Sequence, residues 1–118
     1  MNKNYLPSLA IITPCLNEEA IIEGSVQTLL DKLQNLSENN LIDFNSSKLI
    51  VVDDGSSDGT TELANQLAEK YPAVRVIHHP VNKGYGAALQ SGFHAAAKEY
   101  VFYTDGDASE WPKLFAPV

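Results

Sequence analysis

Five aspartates in two short stretches are the residues best placed to do chemistry in this 118-residue chain. Asp53, Asp54 and Asp58 lie in Leu49-Ile50-Val51-Val52-Asp53-Asp54-Gly55-Ser56-Ser57-Asp58-Gly59-Thr60, and Asp105 and Asp107 close Tyr100-Val101-Phe102-Tyr103-Thr104-Asp105-Gly106-Asp107. Carboxylates this closely spaced suit hard divalent cations and ligand hydroxyls. Asp105 and Asp107 can point to the same side, and Gly106 between them lets the backbone turn and a ligand come close. Mg²⁺ or Mn²⁺ held by one or two carboxylates plus substrate phosphates asks little more of a protein. Asp53 and Asp54 suit a base, a ribose or a metal. Asp58 fits a helix N-cap better, with Gly55 and Gly59 as turn residues.

Both stretches begin with an apolar run of strand length, the pattern of a strand buried on both faces in a parallel sheet. Ligands of open α/β sheets bind beyond the carboxyl ends of the strands, so the two acidic clusters are expected side by side on one rim. The first strand reads as 8–13, closed by Pro14. A helix follows over 18–36, with Asn17 as N-cap and Glu18 and Glu19 in its first turn. The polar stretch 37–47 is a loop, pinned by Leu41, Ile42 and Phe44. A second strand covers 48–52. Ser57 or Asp58 caps a second helix whose inward face is Leu63, Ala64, Leu67, Ala68 and Tyr71, ending at Pro72.

A third strand covers 74–78, a third helix 85–98 and a fourth strand 100–104, with a short helix expected over 111–115. Gly92 inside the alanine-rich third helix predicts close approach to the sheet. The order β-α-β-α-β-α-β predicts an α/β fold with a mostly parallel four-stranded sheet and helices on both faces, one domain over 1–118.

The composition, 44% apolar and 19% charged, is that of a globular chain. A net charge of −7 and a pI near 4.7 leave no basic stripe for a phosphate backbone, which argues against nucleic acid as a partner. Cys15 is the one cysteine, so neither an intrachain disulfide nor a cysteine-based zinc site can form. Its neighbours carry no basic group to stabilise a thiolate, and it reads as a small packing residue. No stretch approaches the ~20 apolar residues of a membrane span. His78, His79 and His94 read as structural. Asn82-Lys83-Gly84-Tyr85-Gly86 opens the third helix without the G-x-G-x-x-G spacing. It is either a turn seating a tightly packed helix or a donor of Lys83 as counter-charge to phosphates.

Four segments together, I-I-T-P-C-L-N-E-E, V-V-D-D-G-S-S-D-G-T, N-K-G-Y-G-A-A-L-Q-S-G and Y-T-D-G-D-A, resemble the N-terminal nucleotide-binding half of a family 2 glycosyltransferase of the GT-A, Rossmann-like fold. Among these, the dolichyl- and polyprenyl-phosphate sugar transferases are most alike. The resemblance implies that Pro14, Asn17 and Glu18 line the nucleotide pocket, that Asp53 or Asp54 contacts the base, and that Lys83 and Gly84 lie near the donor. It implies a metal at Asp107 and Asp105, with Asp105 nearer the ribose or sugar. The implied activity is inverting, Mg²⁺- or Mn²⁺-dependent transfer from a UDP- or GDP-sugar. The implied acceptor is a polyprenyl phosphate at a membrane surface, and the implied setting is cytoplasmic or peripheral to the cytoplasmic membrane face.

Ser109 stands where relatives often carry glutamine. The general base of this family lies well beyond the Asp-x-Asp element, and the sequence runs only to Val118. The expectation is therefore a donor-binding half without a catalytic base, inactive alone and prone to self-association through newly exposed apolar surface. Two readings from other classes compete: a receiver-like domain that accepts phosphate on Asp53 or Asp54, and a non-catalytic α/β interaction domain.

Overall fold

The computed structural model describes residues 5–104 and 110–114. In chain order it holds β1 (Leu9–Cys15), α1 (Ile22–Glu38), a 3₁₀ turn (Phe44–Ser46), β2 (Lys48–Asp53), α2 (Thr60–Lys70), β3 (Val74–His78), α3 (Tyr85–Ala96), β4 (Tyr100–Tyr103) and β5 (Lys113–Leu114). The sheet runs β3-β2-β1-β4-β5, parallel except for β5. The sheet therefore has five strands, one more than expected. Among the described residues the helix expected over 111–115 does not form, and Lys113 and Leu114 instead pair antiparallel with Tyr103 and Phe102. Pro112 disfavours a helical Trp111, and the open edge of β4 offers unpaired backbone groups that β5 takes up.

Period-two alternation distributes the core. Leu9, Ile11 and Cys15 of β1 and Leu49 and Val51 of β2 face one way, under Ile22, Val26, Leu29, Leu30 and Leu33 of α1 and Ala64 and Leu67 of α2. Ala10, Ile12, Ile50 and Val52 face the other way, under Ala88 and Ala96 of α3. Ala88, Gly92 and Ala96 recur every fourth residue and are all buried. A Cβ on Gly92 would stand 2.4 Å from Ile12 Cγ2, so this glycine is what lets the helix lie on the sheet, as its place in the sequence predicts. Deleting or adding a methylene in such a core costs on the order of 1 kcal/mol or more.

Several boundaries depart from expectation for local reasons. Pro14 does not end β1; it lies inside the strand opposite Val52. Its missing N–H falls on the side of β4, whose register with β1 ends at Ile12, so no ladder bond is lost. Asn17 is not an N-cap. It has φ 51°, and α1 begins only at Ile22, after a turn in which Ile21 N and Ile22 N donate to Glu18 O. Leu41 is exposed, so Ile42 and Phe44 alone pin the loop before β2.

The order 3-2-1-4 is that of the Rossmann arrangement and differs from the 2-1-3-4-5 order of receiver domains. Its direction reverses between β1 and β4. That switch point, at the carboxyl ends of the strands, is where an open α/β sheet leaves a crevice.

Candidate functional site

The alternation that sorts the core also separates the aspartate pair. Asp53 falls in step with Leu49 and Val51, towards α2, and Asp54 in step with Ile50 and Val52, towards α3. Both are nearly sealed, at 1% and 4% exposure. Asp53 accepts hydrogen bonds from Ser56 N (3.2 Å), from the Thr61 hydroxyl and from His78 Nδ1 (3.0 Å). His78 reaches on to Asn65 Oδ1 at 2.8 Å. Burial pushes the Asp53 carboxyl up, but the donors from Ser56, Thr61 and His78 outweigh it and hold it below the usual carboxylate range.

Asp54 does its work on the other face. It accepts from Lys83 N and Gly84 N, both at 2.9 Å, and from His79 Nδ1 at 2.7 Å. Burial again opposes ionisation, and the Lys83 amide, His79 and the Gly84 amide overcome it, leaving the group depressed. Gly84 sits at φ 99°, a region open to glycine, and opens α3. Asp54 thus clamps the turn that delivers the amino end of α3 to the rim.

The serines and threonine after the pair fasten the other wall. Asn17 N donates to Ser56 Oγ (3.0 Å), Glu18 N to Thr60 Oγ1 (2.8 Å), and Ser57 N to Asn17 Oδ1 (2.7 Å). The N-cap of α2 is Gly59 and neither Ser57 nor Asp58; Asp58, one residue earlier, accepts from Thr60 N at 2.9 Å and from Glu19 N at 3.4 Å. The loop after β1 is therefore stitched to the loop after β2, and this stitching replaces the helical turn expected at 18–21.

Between these walls opens a cleft of about 260 Å³, lined by Pro14, Cys15, Leu16, Glu18, Asp54, Asn82, Gly84 and Tyr85. Of the residues singled out in the sequence, Pro14, Glu18, Asp54 and Gly84 meet here. Asn17 and Asp53 instead hold the scaffold, and the Lys83 side chain is exposed beside the cleft while its amide donates to Asp54. Burial raises the Glu18 carboxyl above its ordinary value. Cys15, pushed up to about 12 by burial first and the surrounding carboxylates second, stays a thiol, consistent with a packing residue. Sequence reasoning left out Tyr85, an exposed aromatic at a helix start, whose hydroxyl donates to Thr104 O. Thr104 Oγ1 donates to Thr13 Oγ1 at 3.1 Å, so the exit of β4 is fixed beside the cleft. Asp105 and Asp107 follow it in sequence and lie outside the described residues.

A larger hollow of about 600 Å³ lies by the end of α3 and the amino end of β4, away from the carboxyl rim. Asp54, His79 and Ser91 have the connectivity of a hydrolase triad, with His79 Nε2 2.7 Å from Ser91 Oγ. Ser91 nevertheless sits half-buried inside α3 and lines neither the rim cleft nor the larger hollow, so the three residues read as a structural chain. Among the described residues no three His, Cys, Asp or Glu side chains are gathered to hold a metal ion.

The strand order, the rim cleft and the two stitched loops define a Rossmann-like α/β domain of the GT-A type. Residues 10–117 match the model of Glycosyl transferase family 2, and the chain belongs to that family. It is 32% identical over 101 residues to a dolichyl-phosphate beta-glucosyltransferase of Trichomonas vaginalis, covering 86% of this chain and 31% of that protein. It is 35% identical over 112 residues to an uncharacterized glycosyltransferase, YibD, of Escherichia coli, covering 95% of this chain and 29% of that one. Its fold superposes with a TM-score of 0.70 and 26% identity on a mannosyltransferase of Pyrobaculum calidifontis in complex with GDP-Man and Mn²⁺, over 85% of this chain and 27% of that one. The chain thus spans under a third of the length of these relatives.

Proposed function

We propose that this chain forms the donor-binding part of an inverting, metal-dependent glycosyltransferase, and that a UDP- or GDP-sugar occupies the cleft between β1, β2 and α3. The observation that carries this reading is the convergence of three separated sequence motifs on one cleft at the strand-order switch point, with β4 delivering the fourth to its edge. Pro14, Leu16, Glu18 and Asp54 meet the nucleoside. The turn at Lys83 and Gly84 and the amino terminus of α3 face the diphosphate, where a helix terminus favours negative charge.

The structure bears on where a divalent cation would bind. Asp53 and Asp54 do not fit as a ligand pair, because they face opposite sides of the sheet and each carboxylate already accepts three hydrogen bonds, from Ser56, Thr61 and His78 and from His79, Lys83 and Gly84. Asp105 and Asp107, one and three residues past the anchored Thr104 in sequence, are left as the ligands of Mg²⁺ or Mn²⁺. The chemistry a cation supplies there is offset of the charge building on the departing diphosphate. The Mn²⁺ in the Pyrobaculum neighbour supports such a site, and the dolichyl-phosphate beta-glucosyltransferase supports a polyprenyl phosphate acceptor. No helix among the described residues is long and apolar enough to cross a membrane.

Calorimetric titration with UDP and with GDP, each with and without Mn²⁺, tests the proposal. One nucleotide is expected to bind in a metal-dependent way, and Asp107→Ala to remove the metal dependence. Absence of binding by either nucleotide under both conditions overturns it.

A further inference from the structure

His79 is the one buried ring that touches the clamp behind the cleft. Its exposure is 8%, its backbone N donates to Asp53 O at 2.9 Å, and both ring nitrogens are engaged. An ionised carboxylate can only accept, so Nδ1 carries the proton donated to Asp54, while Nε2 meets the Ser91 hydroxyl at 2.7 Å, a group able to donate or accept. The imidazole is thereby held in one orientation, from the end of β3 on one side and α3 on the other. Its target oxygen, Asp54 Oδ1, is the same atom that receives Lys83 N at 2.9 Å, while Oδ2 receives Gly84 N at 2.9 Å. The carboxylate can grip two successive amides only if its plane is fixed, and His79 is the side chain that fixes it.

We infer that His79 is a positioning residue: through Nδ1 it orients Asp54, and through Asp54 it sets the Asn82–Gly84 turn that forms one wall of the cleft. Ser91 is the second tether, holding the ring from α3. This deepens the nucleotide-binding reading and rests on it for the consequence that affinity depends on a residue that lines no part of the cleft. The effect on the turn itself does not depend on that reading.

The two parts separate in one experiment on the 118-residue protein. Hydrogen exchange of the Lys83 and Gly84 amides reports the clamp with no nucleotide present, and calorimetry with UDP and GDP in Mn²⁺ reports the cleft. His79→Asn keeps an amide N–H near the position of Nδ1 and gives up Ser91. His79→Gln places its amide nearer the position of Nε2 and loses Asp54, and His79→Leu loses both. Gly84 N also donates to Asn82 Oδ1 at 2.9 Å, so the Lys83 amide is the sharper reporter of the clamp. With Leu or Gln, the Lys83 amide is expected to exchange roughly tenfold faster and nucleotide to bind roughly tenfold more weakly, the loss of about one buried hydrogen bond. His79→Asn is expected to restore both towards wild type. If the Leu variant does not fold, the contrast of Asn with Gln decides. Unchanged Lys83 exchange in the Gln variant, or an Asn variant as damaged as Gln, overturns the inference. Failure of the wild type to bind either nucleotide would overturn the cleft's proposed function, and the exchange contrast would still decide the role of His79 in the clamp.

Discussion

Asp53 and Asp54 are neighbours in sequence, equally buried, and each is held by a histidine, yet they serve different parts of the molecule. Asp53 is bound inward, by Ser56, Thr61 and His78, and secures the start of α2. Asp54 is bound by His79 and by the two amides of the turn before α3, and it lines the cleft. One residue of register separates a carboxylate bound into the scaffold from one that lines the cleft, because successive side chains of a strand leave opposite faces. Two consecutive aspartates at a strand end are therefore not one diacid, and a shared metal is the wrong expectation for them.

Gly55, next in the chain, gives the largest expected effect. It has φ +75°, and a Cβ there would stand 2.4 Å from Asn82 N and Val81 C, backbone atoms of the turn that Asp54 holds. Gly55→Ala is expected to cost roughly 2–4 kcal/mol, combining left-handed strain with a backbone collision. Urea denaturation measures it, and a midpoint equal to wild type would break the link between the two loops. Removing the carboxylates themselves comes next. Asp53→Asn should lose about 1–3 kcal/mol of stability with nucleotide affinity near wild type. Asp54→Asn should lose a comparable amount and bind nucleotide at least roughly tenfold more weakly. Equal effects on affinity would erase the distinction.

Acid titration sharpens the pair further. Both carboxyls are lowered in the folded state, so their stabilisation is present above the unfolded value of about 3.9 and is lost as pH falls through it towards the folded value. Each Asn substitution should remove part of the acid-side slope of stability against pH. Glu18 has the opposite sign. Its raised folded value means that its contribution is present below about 4.3 and lost as pH rises, so Glu18→Gln should raise the denaturation midpoint slightly at pH 7. The smallest effect is chemical. Cys15, buried and pushed up to about 12, should react with iodoacetamide at pH 8 far more slowly in the native than in the unfolded protein.

Much of this architecture is legible in the chain. Val74–His78 stands where the apolar run places it, the helices cover both faces, and Gly92 marks the close approach of α3. Those features follow from local pattern and side-chain volume. What was not legible depends on contacts between distant segments. Asn17 looks like a cap until Ser56 and Ser57 take its backbone and side chain, and Pro14 looks like a strand breaker until the end of β4 frees its nitrogen from any partner. His78 and His79 read as structural, and each bonds to an aspartate; which aspartate each holds depends on the facing of β3 against β2. Tyr85 belongs to a recognised motif, and only its bond to Thr104 O shows that it joins α3 to β4 at the cleft.

The most direct test of the division between the two aspartates is a map of backbone amide shifts on adding UDP or GDP with Mg²⁺. Shifts concentrated at Glu18, Asp54, Gly84 and Tyr85, with Thr61, Asn65 and His78 unmoved, are the predicted result. Shifts centred on Thr61, Asn65 and His78, with the cleft residues unmoved, would contradict the account.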